Sequence, residues 1–220
     1  MPILKIENVT KHYQAQGQLV SALAGVSLQL NPGQFIALVG RSGCGKSTLL
    51  NLAGAMDFPT SGTVTIDDQI TSQLDDTQLT ALRRNKIGFI FQNFQLLPTL
   101  SVAENVELPL LLAGTTNPRQ RAIESLNWVE LDNYGDRMPH QLSGGQMQRV
   151  AIARALVHKP RLLLADEPIG NLDTVTGNLI LDLLRRATLD FQTAILMATH
   201  SQDSARVTDQ TIVMRDGLIV

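Results

Sequence analysis

The stretch VGRSGCGKSTLLNLAG, residues 39–54, packs glycines, a lysine and hydroxyls together. Gly40, Gly45, Lys46 and Ser47 stand at the spacing G-x-x-x-x-G-K-[ST], a pattern that cradles nucleotide phosphates. Successive backbone N–H groups must curl round phosphate oxygens, and a Cβ would block that approach, so glycine takes the tight points. In this pattern the Lys46 ammonium reaches the β- and γ-phosphates and the Ser47 hydroxyl holds Mg2+. Arg41, Ser42, Gly43, Cys44 and Thr48 complete the same loop. A second stretch, RLLLADEP, runs a hydrophobic segment up to two adjacent carboxylates, Asp166 and Glu167. A strand of this kind delivers its acids at the carboxyl end of a sheet, where α/β folds place ligands. There Asp166 would hold Mg2+, directly or through water, and Glu167 would act as general base on the attacking water. A third, LSGGQ at 142–146, precedes a strong helical pattern. Ser143 suits a helix N-cap, and Gly144 and Gly145 leave backbone N–H groups open to an anion. One chain thus carries two phosphate-binding ends.

The surrounding pattern supplies the elements that hold these residues. FIALVG, residues 35–40, is an apolar run that reads as a buried strand, and STLLNLAG after it reads as a helix. Residues 3–38 are β-rich, with a turn at Asn31–Gly33, and SGTVTIDDQ from Ser61 reads as a short strand pair. KIGFIFQ, Lys86 to Gln92, reads as another strand. Helical spacing then takes over in VAENVELPLLLAG, PRQRAIESLNWVEL and GGQMQRVAIARALVH, where Val150, Ala153, Leu156 and Val157 share a face. Strands return at RLLLAD and TAILMAT, separated by a helix with Ile180, Leu183, Leu184 and Ala187 on its apolar side; TIVMRDGLIV closes as a hairpin. The expected fold is α/β: a single domain over 1–220, with a core at 1–92 and 158–220, an N-terminal antiparallel β-subdomain, and a helical subdomain inserted at about 93–157.

Bulk properties narrow the partners. The chain has 220 residues, 44% hydrophobic, enough for a sizeable core. A net charge of −2 gives no electrostatic case for nucleic acid, which needs a basic face. One cysteine excludes an internal disulfide and suits a reducing compartment. The N-terminus lacks a secretory pattern, and apolar segments such as LPLLLAG fall far short of the ~20 residues that span a bilayer. Any membrane role therefore requires a partner.

The set GRSGCGKST, Gln92 after a strand, LSGGQ, LLLADEP, NLD at 171–173 and ATH at 198–200 resembles the ATP-binding subunit of ABC transporters over essentially the whole chain. FQNFQLLPTLSVAENVELPLLLAG with GNLD further resembles the branch serving lipoprotein release, macrolide efflux and glycolipid export. The resemblance implies a P-loop NTPase core of ABC type, using ATP and Mg2+. It implies that Tyr13 stacks on adenine, that Gln92 touches Mg2+ and relays to a membrane partner, and that His200 meets the γ-phosphate. Lys46, Gln92, Glu167 and His200 form the implied catalytic set. Two copies would pack head to tail when ATP binds, Ser143, Gly144, Gly145 and Gln146 of one closing over nucleotide on the loop of the other, with Asp173 in a segment that crosses between them. That answers the puzzle of two phosphate-binding ends.

The resemblance also implies a separate integral membrane permease, a periplasmic adaptor reached through it, and a peripheral location on the cytoplasmic side of the inner or plasma membrane. Lipid-like, lipoprotein and amphiphilic drug substrates stand open, as does a regulatory ATPase of cell-division type that signals without moving a substrate. Three positions depart from the pattern: Ile169 stands where Thr or Ser is usual, Ser201 where Asp is usual, and Met147 where a polar residue is commoner. Phe94, Leu96, Leu97 and Leu100 read either as a docking cleft or as a small local core. Cys44 reads either as a small packing residue or as an oxidisable thiol, favoured as thiolate by the loop N–H groups and Lys46.

Overall fold

Alternate residues of the central strands are apolar on both sides, so the sheet they form must be covered on both faces. The computed structural model describes residues 1–15, 17–201 and 203–220, and of Ala15, Asp203 and Ala205 the backbone alone. In chain order the elements are β1 (Leu4–Ala15), β2 (Gln18–Leu30), β3 (Phe35–Val39), α1 (Lys46–Ala53), β4 (Ser61–Ile66) and β5 (Gln69–Ile70). There follow α2 (Asp76–Lys86), β6 (Ile87–Ile90), α3 (Val102–Leu112), α4 (Pro118–Trp128), α5 (Gly144–Leu156) and β7 (Leu162–Asp166). The chain ends with α6 (Thr174–Phe191), β8 (Ala194–Thr199), β9 (Gln210–Arg215) and β10 (Leu218–Ile219).

The strands form two sheets. β2-β1-β4-β5 is antiparallel throughout and corresponds to the expected N-terminal β-subdomain. The second has the order β10-β9-β3-β8-β7-β6, parallel from β9 to β6, with β10 turning back on β9 as the expected hairpin. Phe35, Ala37 and Val39 of β3 join Leu163, Ala165, Ile195 and Met197 in one buried cluster with α3, α4, α5 and α6. Ile36 and Leu38 join Leu162, Leu164, Ala194 and Leu196 in the other, with α1 and the N-terminal sheet. The period-2 alternation is thus spent on two separate cores, and the strand ends are left to chemistry.

The helices begin where local chemistry tells them to. Asp75 opens α2 with a capping box to Gln78, Ser101 opens α3 with one to Glu104, and Ser143 opens α5 with one to Gln146. α2 is an element the periodicity does not announce. It takes Lys86 as its last residue, so β6 is confined to Ile87–Ile90 and is shorter than the Lys86–Gln92 segment expected. Downstream, the buried Asn105 side chain accepts from Leu97 N at 2.8 Å and donates to the carbonyls of Leu97, Leu100 and Ser101. It fixes the irregular segment that leads into α3.

α5 closes against β6 through His158, whose Nε2–H donates to Ile87 O at 3.1 Å. Burial holds the His158 pKa below the ordinary histidine value, with the nearby Arg121 charge acting in the same direction and the Ile87 bond opposing. The folded ring therefore resists protonation, while the unfolded ring takes a proton near pH ~6.5. This contribution is fully present above that pH and is lost as the pH falls below it. Urea midpoints at pH 7.5 and 5.5 should show a smaller acid loss for His158→Gln, which keeps an N–H donor, than for the wild type. An equal loss in both proteins would remove His158 from the acid response.

Candidate active site

β3 ends at Val39, and the chain then makes the glycine loop before entering α1. Gly45 stands at the α1 N-cap in the left-handed region, φ 104°, and no side chain caps that helix. The first-turn amides are therefore free to face an anion, with the helix dipole behind them. A Cβ on Gly45 would lie 2.5 Å from Ala22 O, and one on Gly40 would lie 2.4 Å from Met214 O. Both positions require glycine for space, and Gly45 also requires it for backbone angle. Gly43, φ 79°, faces open space. Lys46 is buried and folds back on its own loop, Nζ donating to Gly40 O at 2.7 Å and Arg41 O at 3.1 Å.

The loop forms one wall of a cleft of about 420 Å3. Ser42, Gly43, Gly45, Lys46, Ser47 and Thr48 line that wall. Gln92, just past β6, and Asp166, Glu167 and His200, from the ends of β7 and β8, line the opposite side. Arg41 is exposed at the loop's outer edge. Gly40 lies beneath the loop against Cys44 Sγ. Cys44 is 6% exposed, packed in the core cluster below the cleft, with Sγ 4.0 Å from Lys46 Nζ. That placement matches a small packing residue.

Glu167 holds an uncommon backbone, φ 47° for a non-glycine residue. Its amide is tied to Ala198 O at 2.9 Å, across to β8. Its carboxylate accepts from His200 Nδ1 at 2.8 Å and from His200 N at 3.4 Å. The two residues are therefore paired, with Glu167 mostly covered and His200 largely exposed. Ser47, Gln92 and Asp166 offer a hydroxyl, an amide and a carboxylate; such hard oxygen donors suit Mg2+ rather than zinc.

Tyr13 stands half-exposed on β1, its hydroxyl donating to Asp57 Oδ2 at 2.9 Å. Burial raises its pKa, and the bond to Asp57 raises it further. Lys11 Nζ pairs with Asp57 at 2.6 Å and lies 4.9 Å from the Tyr13 ring centre. Burial pushes the Asp57 carboxyl up, but the Lys11 bond and the Phe58 N–H outweigh it and hold the pKa below the ordinary value. Sequence patterning gives no hint of this support, which joins residues 44 or more positions apart.

Ser143, Gly144, Gly145 and Gln146 do not line the cleft. They sit against the start of α6: a Cβ on Gly145 would lie 2.3 Å from Thr176 Cγ2, and one on Gly144 would lie 3.6 Å from Leu172. Gln146 is already engaged, its amide carbonyl accepting from Ser143 N at 2.9 Å and its Nε2 donating to the Tyr134 hydroxyl at 3.1 Å. Asp173 caps α6, accepting from Thr176 Oγ1 and N, and these bonds hold its pKa low. Ile169 packs on Gly177 beside the same helix start. Two further side chains, silent in the sequence, bind the site together. Asn171 Nδ2 donates to Gln92 O at 3.2 Å, and Arg154 of α5 donates to Gln95 O at 2.6 Å and Phe94 O at 2.8 Å.

A glycine cradle after β3 facing a carboxylate pair at the end of β7, with β8 between the two strands in the parallel sheet, defines a P-loop nucleotide hydrolase. Residues 23–170 match the family described as ABC transporter, and the chain belongs to that family. It is 45% identical over 98% of its length to an uncharacterised ABC transporter ATP-binding protein of Methanocaldococcus jannaschii, covering 94% of that protein. It is 44% identical over 98% of its length to the lipoprotein-releasing system ATP-binding protein LolD of Psychrobacter arcticus, covering 96% of it. It is 44% identical over its whole length to the macrolide export ATP-binding/permease protein MacB of Syntrophobacter fumaroxidans, spanning 31% of that longer chain. A dimeric post-hydrolysis structure of the Methanocaldococcus cassette bound to ADP and Pi superimposes with a TM-score of 0.91 at 44% identity, covering 98% of this chain and 96% of that one. The chain is thus an ABC-type ATPase, an ATP-binding subunit of the LolD and MacB kind.

Gly45→Ala should cost about 1–2 kcal/mol for the left-handed backbone alone, more with the Ala22 contact, and should abolish nucleotide binding. Urea unfolding and fluorescent-nucleotide titration check this; unchanged values in both would overturn the close-approach argument. Maleimide should label Cys44 far more slowly in the folded protein than in urea, since buried structural thiols are inert. Equal labelling rates would restore the exposed, reactive thiol.

Proposed function

We propose that the 420 Å3 cleft binds ATP and that the chain works as an ATP-gated pair driving a membrane partner. The loop amides, with Lys46, receive the phosphates, and Tyr13 stacks on adenine from the rim. The residues present fit Mg2+: Ser47, Asp166 and Gln92 would hold it, and when bound it neutralises charge on the phosphates. Glu167 takes the proton from the attacking water, its position fixed by the Ala198 bond and its orientation by His200. His200, largely exposed, keeps its second ring nitrogen for the γ-phosphate.

One observation carries the reading. Ser143–Gln146 stand outside the cleft although they form a helix N-terminus suited to an anion. A second copy related by a two-fold axis brings that end over the first copy's cleft, with Asp173 near the seam. ATP then contributes contacts to both copies and holds them together, and hydrolysis releases them. No helix among the described residues is long and apolar enough to cross a membrane. The motion is passed to a separate integral membrane permease, and through it to a periplasmic adaptor, from the cytoplasmic face of the inner or plasma membrane. The names of the LolD and MacB relatives support a lipoprotein, lipid-like or amphiphilic drug substrate.

None of Phe94, Leu96, Leu97 and Leu100 lines the groove that suits docking. Leu96 is half-buried and packs against the main core cluster. The groove lies beside them, about 470 Å3 between the ends of α2, α3 and α5.

Light scattering of Glu167→Gln with Mg·ATP and without nucleotide tests the pair. ATP should convert monomer to dimer, while turnover falls by about 10²–10⁴-fold. A protein monomeric under both conditions, with ATP bound, would overturn the two-copy reading.

A further inference from the structure

Tyr13 is 38% exposed, so burial alone does not fix where its ring lies. Its strand brings it near the cleft. Tyr13 pairs with Val20 across β1 and β2, and Val20 lines the cleft. The pairing slips by one residue between Lys11 and His12, and an irregularity of that kind re-aims the side chains beside it. The backbone thus delivers the ring to the rim of the nucleotide site. It does not choose the ring's rotamer.

The tip of the side chain does. The phenol donates to Asp57 Oδ2 at 2.9 Å, and a bond to an ionised acceptor is roughly twice as strong as a neutral one. Asp57 divides its oxygens between two tasks. Oδ1 accepts from Lys11 Nζ at 2.6 Å and from Phe58 N at 2.7 Å, which fixes the turn after α1. Oδ2 accepts from Tyr13 alone among the described residues. The turn is satisfied without Oδ2, so the bond to Tyr13 serves the ring.

Lys11 completes the arrangement. Its Nζ also donates to Phe58 O at 2.7 Å and lies over the Tyr13 ring, 4.9 Å from its centre. An ammonium over one face leaves the opposite face to a planar ligand. The Lys11 side chain is 12% exposed and its charge is balanced by Asp57, so the pair puts no net charge beside the phosphates. The network is built for a base rather than for phosphate. We propose that Asp57 is a positioning residue for the nucleotide base: it tethers the Tyr13 hydroxyl, with Lys11 behind the ring, and so holds the open face ready to stack on adenine. A ring held beforehand spares the ordering cost that a free side chain adds on binding. This rests on the reading of Tyr13 as the adenine platform, and adds the residue that fixes its orientation.

The test compares ADP with inorganic pyrophosphate, each with Mg2+, by competition against a fluorescent ADP on the intact protein. The two probes share their phosphates and differ by the adenosine. Asp57→Ala should lower the ratio of ADP to pyrophosphate affinity about three- to tenfold, the cost of ordering one side chain. Tyr13→Phe, which keeps the ring and loses the tether, should lower it by the same factor, and Asp57→Ala should add nothing in that background. If Asp57→Ala weakens both probes equally, Asp57 supports only the turn and the proposal is overturned. A full further loss in the Tyr13→Phe background would overturn it too, since Asp57 would then act without the hydroxyl. Tyr13→Ala decides the reading beneath. If it lowers the ratio while Tyr13→Phe and Asp57→Ala leave it unchanged, the platform stands and the tether falls. If it leaves the ratio unchanged, adenine lies elsewhere and both fall.

Discussion

At two points of the loop after β3 no side chain fits against the strands beside it. At Gly40 and Gly45 a single methyl would collide with the carbonyls of Met214 and Ala22. The contact is mutual, because Gly217 N donates to Cys44 O at 3.1 Å and Gly217 O accepts from Ala24 N at 2.9 Å. The C-terminal hairpin and the N-terminal sheet therefore clamp the loop from both sides. Its amides stay pointed at the cleft because both neighbours are already in place. The parallel order β9-β3-β8-β7-β6 then follows as a requirement: it delivers the β3 loop, Asp166, Glu167 and His200 to one edge.

Much of this is legible in the residue pattern, and what is not has a common cause. The loop, the carboxylates at the end of β7, the apolar faces of α5 and α6, and Ser143 as a cap are properties of short windows, and short windows carry them. α2 escapes because its sequence, DTQLTALRRNK, is mostly polar and only Leu79 and Leu82 are buried. A signal is present all the same, in the Asp75–Gln78 capping pair. β6 is shorter than its apolar run suggests because Phe91 continues the run after the strand has ended. Arg154 on Phe94 and Gln95, Asn171 on Gln92 and Lys11–Asp57–Tyr13 join segments far apart in sequence. No local pattern can report such contacts, because nothing in either segment alone requires the other.

α5 illustrates how one element can serve two places. Its N-terminus, at Ser143–Gln146, is locked by its own capping box and by Tyr134. Its last turn carries Arg154, whose guanidinium holds two consecutive left-handed residues, Phe94 at φ 58° and Gln95 at φ 49°. Such backbone angles cost about 1–3 kcal/mol each outside glycine and persist only where surroundings fix them. Arg154 is that fixing contact. A single helix of thirteen residues therefore joins the Ser143–Gln146 end to the turn beside the groove.

Between residues 88 and 95 the groove and the cleft meet in a single turn of backbone. Gly88, Phe89, Phe91 and Gln95 line the groove, and Gln92 lines the nucleotide cleft. Asn171 holds the Gln92 carbonyl and Arg154 holds those of Phe94 and Gln95, so the turn is anchored on both sides of the glutamine. With its flanks pinned, Gln92 cannot shift far without straining one anchor or the other. The groove and the cleft thus draw on the same few residues. Coupling between two sites requires a shared element whose position both bias, and this turn, a few residues long, lines both cavities.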